Sequence, residues 1–267
     1  MADGAPVFAG SIPANYNRYL VPMYFEAYAR DIANRVNIPN DGRVLELACG
    51  TGAVTKQLRA SLTNTVRIVA TDLNPGMLEV AQNALSTEAA IEFQVADGTD
   101  LPFEDTSFDA VVCQFGVMFF PDKSQGFAEA FRVLKPGGRM YFSVWDTIDH
   151  NGFSKLIHET AISVSPEMSF MAMPFSFNDV SFIKTLLESA GFRAMEFSVQ
   201  PRECRAANID DTVTGVVAGS PLAAEFEAGN LVEEGRKAME LAFRSSYGDG
   251  PILDTMQAIV IEATKPM

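Results

Sequence analysis

Glu46-Leu47-Ala48-Cys49-Gly50-Thr51-Gly52-Ala53 is a run of mostly small residues between a strand-length apolar segment and a helix-length one. Glycine in such a turn lets a ligand come close to the backbone and permits conformations barred to larger residues. A lone G-x-G also serves tight strand-to-helix packing, so its neighbours decide. Asp72 lies about 20 residues after Gly52, at the end of the second apolar run, where a carboxylate can accept hydrogen bonds from both hydroxyls of a ribose. That spacing predicts a nucleoside ligand. A third acid, Asp97, ends the third run and precedes Gly98. It can accept from an adenine amino group, with Leu73 and Met77 as apolar walls for the ring, or it can cap its own loop.

A nicotinamide dinucleotide satisfies the same glycine and aspartate pair, so an NAD(P)-linked Rossmann oxidoreductase is the alternative. Its fingerprint is G-x-G-x-x-G, whereas Gly50-Thr51-Gly52-Ala53-Val54-Thr55 lacks the third glycine. Glu46 beside the turn suits an ammonium group better than a pyrophosphate. For a general base the chain offers two histidines, His150 and His158. His150 follows the fifth apolar run, on the edge where ligands of such folds bind, and is the candidate catalytic residue. The polar run DTIDHNG around it favours a solvent-facing loop instead, and His158, beside Ile157 in an expected helix, reads as packing or surface.

The elements that must position these residues are legible as periodicity. RVLELA (43–48), RIVATD (67–72), IEFQVAD (91–97), DAVVCQF (109–115) and RMYFSVWD (139–146) are continuous apolar runs, as expected for strands covered on both faces. VTKQLRASL, GMLEVAQNALS and SQGFAEAFRVL between them carry apolar residues at helical spacing. Asn74-Pro75 caps and opens one helix, and Pro136-Gly137-Gly138 stops the helix carrying Phe131 and Leu134. A helix at Asn178 to Ala190 ends at Gly191, strands 194–200 and 257–264 close the chain, and Ile209 to Tyr247 between them is mostly helical. The expected fold is α/β, a Rossmann-like doubly wound, mostly parallel seven-stranded sheet with helices on both faces. Tyr16, Tyr19, Leu20, Met23, Ala27, Ile32 and Val36 predict an amino-terminal amphipathic helix that covers the sheet or lids a pocket. The layout is one domain over 1–267: a helical lid (1–40), a ligand-binding core (41–150), and substrate-side helices with the closing strands (151–267).

Composition sets outer bounds. With 48% hydrophobic and 20% charged residues in a chain of 267, a globular core is expected and disorder excluded. A formal net charge of −14 repels phosphate backbones and anionic membranes, so nucleic acid is not an expected partner. Cys49, Cys113 and Cys204 are far apart and odd in number, which fits a reducing, cytoplasmic location and neither disulfides nor a metal. MADGAPVFAG lacks a basic region followed by an apolar one, and the longest nearly apolar run, Ala110 to Phe120, is too short to span a bilayer. The stretch SPEMSFMAMPFSF (165–177) suits either an adaptable acceptor pocket or core filling.

Four segments, VLELACGTGAVT, VATDLNPGMLEVAQ, VADGTDLPFEDTSFDAVVCQFGVMFFPD and AFRVLKPGGRMYFSVWD, appear in that order between about Arg43 and Asp146. In them the sequence resembles the class I S-adenosylmethionine-dependent methyltransferases, especially the branch similar to ubiquinone/menaquinone C-methyltransferases. The resemblance implies S-adenosylmethionine as cofactor, S-adenosylhomocysteine as product, and a methyltransferase acting on a small-molecule acceptor. By motif match Ala48, Gly50, Thr51 and Gly52 would carry the methionine part of the cofactor, Asp72 the ribose, and Asp97 with Ala96 and Gly98 the adenine. Gln114, Phe115 and Gly116 would lie beside the amino group and sulfonium, and Tyr16 and Tyr19 resemble a cofactor-covering helix. Ala48 stands where many relatives have glycine. An aromatic or apolar acceptor, a monomer or homodimer, and a cytoplasmic location complete these expectations; a non-catalytic S-adenosylmethionine-binding protein is the remaining alternative.

Overall fold

Successive residues of a strand face opposite sides of a sheet, so an unbroken apolar run is stable only where both sides are covered. The computed structural model, which describes Phe8 and residues 10–267, has this arrangement. In β1 (Arg43–Glu46), Val44 joins an apolar cluster on one face and Leu45 the cluster on the other, both fully buried. β2 (Arg67–Asp72) splits Ile68 from Val69 in the same way, and β4 (Phe108–Gln114) splits Val112 from Val111. With β3 (Ile91–Val95), β5 (Leu134–Trp145), β6 (Arg193–Ala206) and β7 (Ile252–Thr264) they form a seven-stranded sheet ordered β3-β2-β1-β4-β5-β7-β6. β1 to β5 are parallel, and β7 is antiparallel between β5 and β6. The strand order reverses at β1, which places a crevice between the carboxyl ends of β1 and β4.

One face is covered by α2 (Glu26–Arg35) and α3 (Ala53–Ser61), whose Ala29, Ile32, Val54 and Leu58 meet Val44, Ile68 and Tyr141. The opposite core takes residues from α5 (Lys123–Val133), α6 (Gly152–Val164) and α7 (Val180–Ala190). It is extended by α8 (Ile209–Gly219), α9 (Leu222–Ala228) and α10 (Val232–Tyr247), the insertion ahead of β7. Asn74 caps α4 (Pro75–Ala84) as expected, its side chain accepting from the N–H groups of Gly76 and Met77. Met168, Met171, Phe175 and Phe177 are buried in this second core, the core-filling outcome for the Met- and Phe-rich stretch.

Several sequence expectations are corrected. β1 ends at Glu46 rather than 48 and β3 at Val95 rather than 97, because the chain turns away at both ligand-facing ends. Leu134 belongs to β5, not to the preceding helix. Phe108 pairs with Leu134 and Ala110 with Arg139, so Pro136-Gly137-Gly138 bulges out of a strand that has already begun. The helix expected from Asn178 begins at Val180, with Asp179 as its cap. The amino-terminal segment is a short α1 (Ile12–Asn15) followed by a π-helical stretch, Tyr16–Phe25, before α2. The Glu26 N–H donates to the Val21 carbonyl five residues back. That wider turn shifts the buried face by one position: Leu20 and Met23 are buried as expected, Ala27 is exposed, and Tyr28 takes its place inside.

The turn after β1 is tightly constrained. Ala48, Gly50 and Gly52 all have positive φ (51°, 56° and 87°), and so does Phe115 at the end of β4 (54°). For Ala48 and Phe115 this left-handed conformation carries a steric cost. Gly116 must remain bare: a Cβ there would sit 2.5 Å from the Ala48 methyl and 2.7 Å from Cys113 Sγ. Gly116→Ala should therefore lower stability by about 1–3 kcal/mol in urea unfolding. Ala48→Gly removes the opposing methyl and should recover part of that loss; strictly additive effects would rule out this contact as the cause.

Candidate active site

The glycine turn is fastened to the end of β2. Asp72 Oδ2 accepts from Gly50 N at 2.8 Å, and its Oδ1 accepts from Asn74 N at 2.8 Å. The Cys49 N–H donates to the Thr71 carbonyl (2.9 Å), and Thr71 Oγ1 donates to the Glu46 carbonyl (2.8 Å). Burial raises the Asp72 pKa, and the two N–H donors oppose that shift. Leu73 beside it is 55% exposed, an apolar side chain held at the surface next to the carboxylate.

Beside this turn lies a small cavity, about 40 Å³, lined by Tyr16, Phe25, Glu46, Ala48, Cys49, Gly50, Thr51, Ala53, Val54 and Gln114. Its volume suits a terminal head group rather than a ring. Glu46 is 1% exposed and accepts from Thr55 Oγ1 at 2.7 Å. Burial, reinforced by the charge of Asp72 and opposed by Thr55, pushes its carboxyl up to about 8. Among the described residues no cation contributes to the surroundings of either acid. Thr51 Oγ1 and Gln114 Oε1 are buried and have no hydrogen-bond partner among the described residues. Unpaired buried acceptors are costly, so their convergence on one cavity with a carboxylate marks a place built for a donor-rich, cationic group. An amino-acid ammonium has that chemistry, and the residues fit it.

The π-helical stretch roofs the cavity. Tyr16 stacks on Phe25 with ring centroids 5.1 Å apart, and Gln114 Nε2 donates to the Phe25 carbonyl at 3.3 Å, tying β4 to the roof. Phe115 stacks on Trp145 at 3.8 Å and meets Phe25 and Tyr28 edge-on, forming a rigid aromatic wall behind Gln114. Tyr28 is fixed in turn by donating to the Met256 carbonyl at 2.7 Å.

Of the sequence-predicted residues, Tyr16, Ala48, Gly50, Thr51 and Gln114 line the cavity together. Gly52 opens α3, and Asp72 acts on the cavity through Gly50. Phe115 and Gly116 are buried behind it. Tyr19 is directed elsewhere, its Cβ close to Gly215 of α8, so the first tyrosine of the pair roofs the cavity without the second. Asp97 Oδ1 accepts from Thr99 N and Oγ1 at 2.8 and 2.7 Å, which is the loop-cap arrangement. Ala96 and Met77 are buried, and Gly98 leaves room for the Phe120 ring, 2.6 Å from where a Cβ would stand. His150 lies in a turn after β5, its side chain 59% exposed, with Nδ1 3.2 Å from Asp146 Oδ2. Asp146 Oδ2 also accepts from Gln257 Nε2 at 2.6 Å. Phe25 is the wall residue that sequence reasoning missed; its signal, an aromatic nine positions after Tyr16, matches no α-helical face.

Among the described residues no helix is long and apolar enough to cross a membrane. A methyltransferase-domain family profile matches residues 45–142, the segment that holds the turn, Asp72, Asp97 and Gln114. The demethylmenaquinone methyltransferase of Clavibacter sepedonicus is 35% identical over 58% of this chain and 66% of its own length. The ubiquinone/menaquinone biosynthesis C-methyltransferase UbiE of Geotalea daltonii is 33% identical over 60% of this chain and 69% of its own. In fold, the chain is similar to the phosphoethanolamine N-methyltransferase 2 of Haemonchus contortus, solved with S-adenosylhomocysteine. That similarity has a TM-score of 0.55 at 16% identity, over 95% of this chain and 53% of that one. The oxidoreductase alternative finds no support among these relatives. Matched at 33% identity across 69% of a relative, and folded around a seven-stranded, mostly parallel sheet, the chain belongs to the class I S-adenosylmethionine-dependent methyltransferases.

Proposed function

We propose that this methyltransferase holds the amino-acid end of its cofactor in the Glu46–Gln114–Thr51 cavity and methylates an apolar, quinone-like small molecule. The observation that carries the first half is the convergence of one buried carboxylate and two unpaired buried oxygens beneath an aromatic roof. Asp72 would accept from the ribose hydroxyls, and Leu73 with the Asp97–Gly98 turn would flank the adenine. For the acceptor, the support is the aromatic wall of Phe115 and Trp145 together with the similarity to demethylmenaquinone and ubiquinone/menaquinone methyltransferases. S-adenosylmethionine supplies an electrophilic methyl group on a sulfonium, which a nucleophile displaces in line. The chain's own contribution is then positioning and exclusion of water: Gln114 and the Phe25 carbonyl hold the roof to β4, and Tyr16 and Phe25 close the cavity. No protein nucleophile is required.

Where the acceptor must lose a proton, His150 is the proposed base, oriented by Asp146 at Nδ1 and leaving Nε2 for the substrate. A cytoplasmic location agrees with three free, buried cysteines. The proposed assembly is a monomer or homodimer.

Calorimetry with S-adenosylmethionine and S-adenosylhomocysteine, with NADH as control, should show binding of both sulfur nucleosides and none of NADH; the reverse would overturn the site. Asp72→Ala should weaken cofactor binding by about 2 kcal/mol, through loss of charge-assisted hydrogen bonds. Unchanged affinity would remove Asp72 from the ribose. Transfer of labelled methyl from S-adenosylmethionine to demethylated quinols tests the acceptor, and turnover confined to hydrophilic amines would refute the apolar class. His150→Ala should lower turnover at least tenfold while leaving the cofactor Kd unchanged; equal turnover would return His150 to the role of a loop residue.

A further inference from the structure

Glu46 is surrounded by groups that cannot neutralise it. Facing it are Thr55 on α3, Cys49 in the turn, Cys113 on β4 and Asp72 at the end of β2, with Tyr16 of the roof beyond Asp72. All are neutral or acidic at neutral pH. Gln114 Oε1 and Thr51 Oγ1 add two further oxygens without partners. A carboxylate buried with one hydroxyl donor and no cation is disfavoured, and protonation removes the buried charge. An ammonium brings three N–H donors and a positive charge to the same oxygens, and in its presence the ionised form is the favoured one.

We propose that Glu46 carries a proton while the cavity holds no ammonium and gives that proton to solvent when an ammonium enters, so that cofactor binding is coupled to release of one proton. This rests on the reading of the cavity given under Proposed function. In the step, the O–H bond of Glu46 breaks, its electron pair stays on the carboxylate, and the proton passes to buffer. The ammonium keeps all three hydrogens. The direction is fixed by burial, which holds the ligand-free carboxyl at about 8. Below that pH the acid must ionise in order to bind, so affinity rises with pH and falls about tenfold per unit from pH 7 to 6. At pH 7, below that value, more than half a proton should leave per ligand bound.

The test is calorimetry of the full chain at pH 7 in buffers of different ionisation enthalpy, which counts the protons released. S-adenosylhomocysteine carries the ammonium; 5′-methylthioadenosine shares the nucleoside and lacks it. The homocysteine compound should release more than half a proton and methylthioadenosine none. Glu46→Gln keeps the shape and the Thr55 contact; it should bind S-adenosylhomocysteine with no proton release and a flat affinity profile from pH 6 to 8. Equal proton counts for the two wild-type complexes would overturn the proposal. So would persistent release from Glu46→Gln, which would assign the proton to Asp72. If neither nucleoside binds, the reading of the site fails and this inference with it.

Discussion

The hydrogen bond from Gly50 N to Asp72 Oδ2, 2.8 Å long, is the fastening on which the arrangement of the site depends. It joins a turn that ordinary residues resist to the end of the neighbouring parallel strand. Three residues of that turn, Ala48, Gly50 and Gly52, hold positive φ, and a loop so wound would relax if its N–H groups were free to find water. Asp72 therefore does two jobs with one carboxylate. It organises the backbone that forms the cavity, and it stands beside exposed Leu73 on the ligand-facing edge of the sheet. The register of β1 and β2, with Glu46 opposite Ala70, brings the two acids to the same end of the sheet.

Electrostatic cost explains the rest of the local chemistry. Burial raises the proton affinity of both acids, the charge of Asp72 raises that of Glu46 further, and no lysine, arginine or histidine among the described residues contributes to their surroundings. Elsewhere in the molecule carboxylates are paired in the ordinary way: Asp31 with Arg35 and Arg202, Glu129 with Arg132, Asp109 with Lys135. The contrast separates acids paired with a cation from Glu46 and Asp72, which are held by hydrogen-bond donors alone. Buried acids without a counter-charge, beside the unpartnered Thr51 Oγ1 and Gln114 Oε1, are features that cluster where a ligand binds.

Much of this was legible in the sequence, because strand-length apolar runs and glycine spacing are local properties. Asp72 and the glycine turn could be placed from residue types alone, and the alternation of Val44, Leu45, Ile68 and Val69 between two covered faces follows from unbroken apolar runs. The roof was not legible in the same detail. Tyr16 and Tyr19 share an α-helical face only if the backbone bonds four residues back, and the stretch bonds five back instead. The chain thereby pairs Tyr16 with Phe25, sends Tyr19 toward Gly215, and buries Tyr28 where Ala27 was expected. The start of β5 was misplaced for a related reason. A Pro-Gly-Gly sequence signals a break in regular structure, but a bulge within a paired strand breaks it as well as a helix end does.

The aromatic wall restricts where substrate selectivity can reside. Phe115 and Trp145 are stacked nearly parallel, within 9°, with centroids 3.8 Å apart, and are 6% and 5% exposed respectively; with Tyr28 against both they belong to the core as much as to the site. Side chains packed this densely do not reshape to admit different acceptors. Phe115 also holds a left-handed backbone conformation that only a well-packed surrounding sustains. Variation in acceptor must therefore come from elements that can move or be replaced without unpacking the sheet: the π-helical roof and the helices between β5 and β7. These are the parts of the chain that lie outside the 45–142 segment shared with the wider methyltransferase family. The division is physical, since a cofactor common to the family needs a fixed cradle and an acceptor that differs between members needs a replaceable cover.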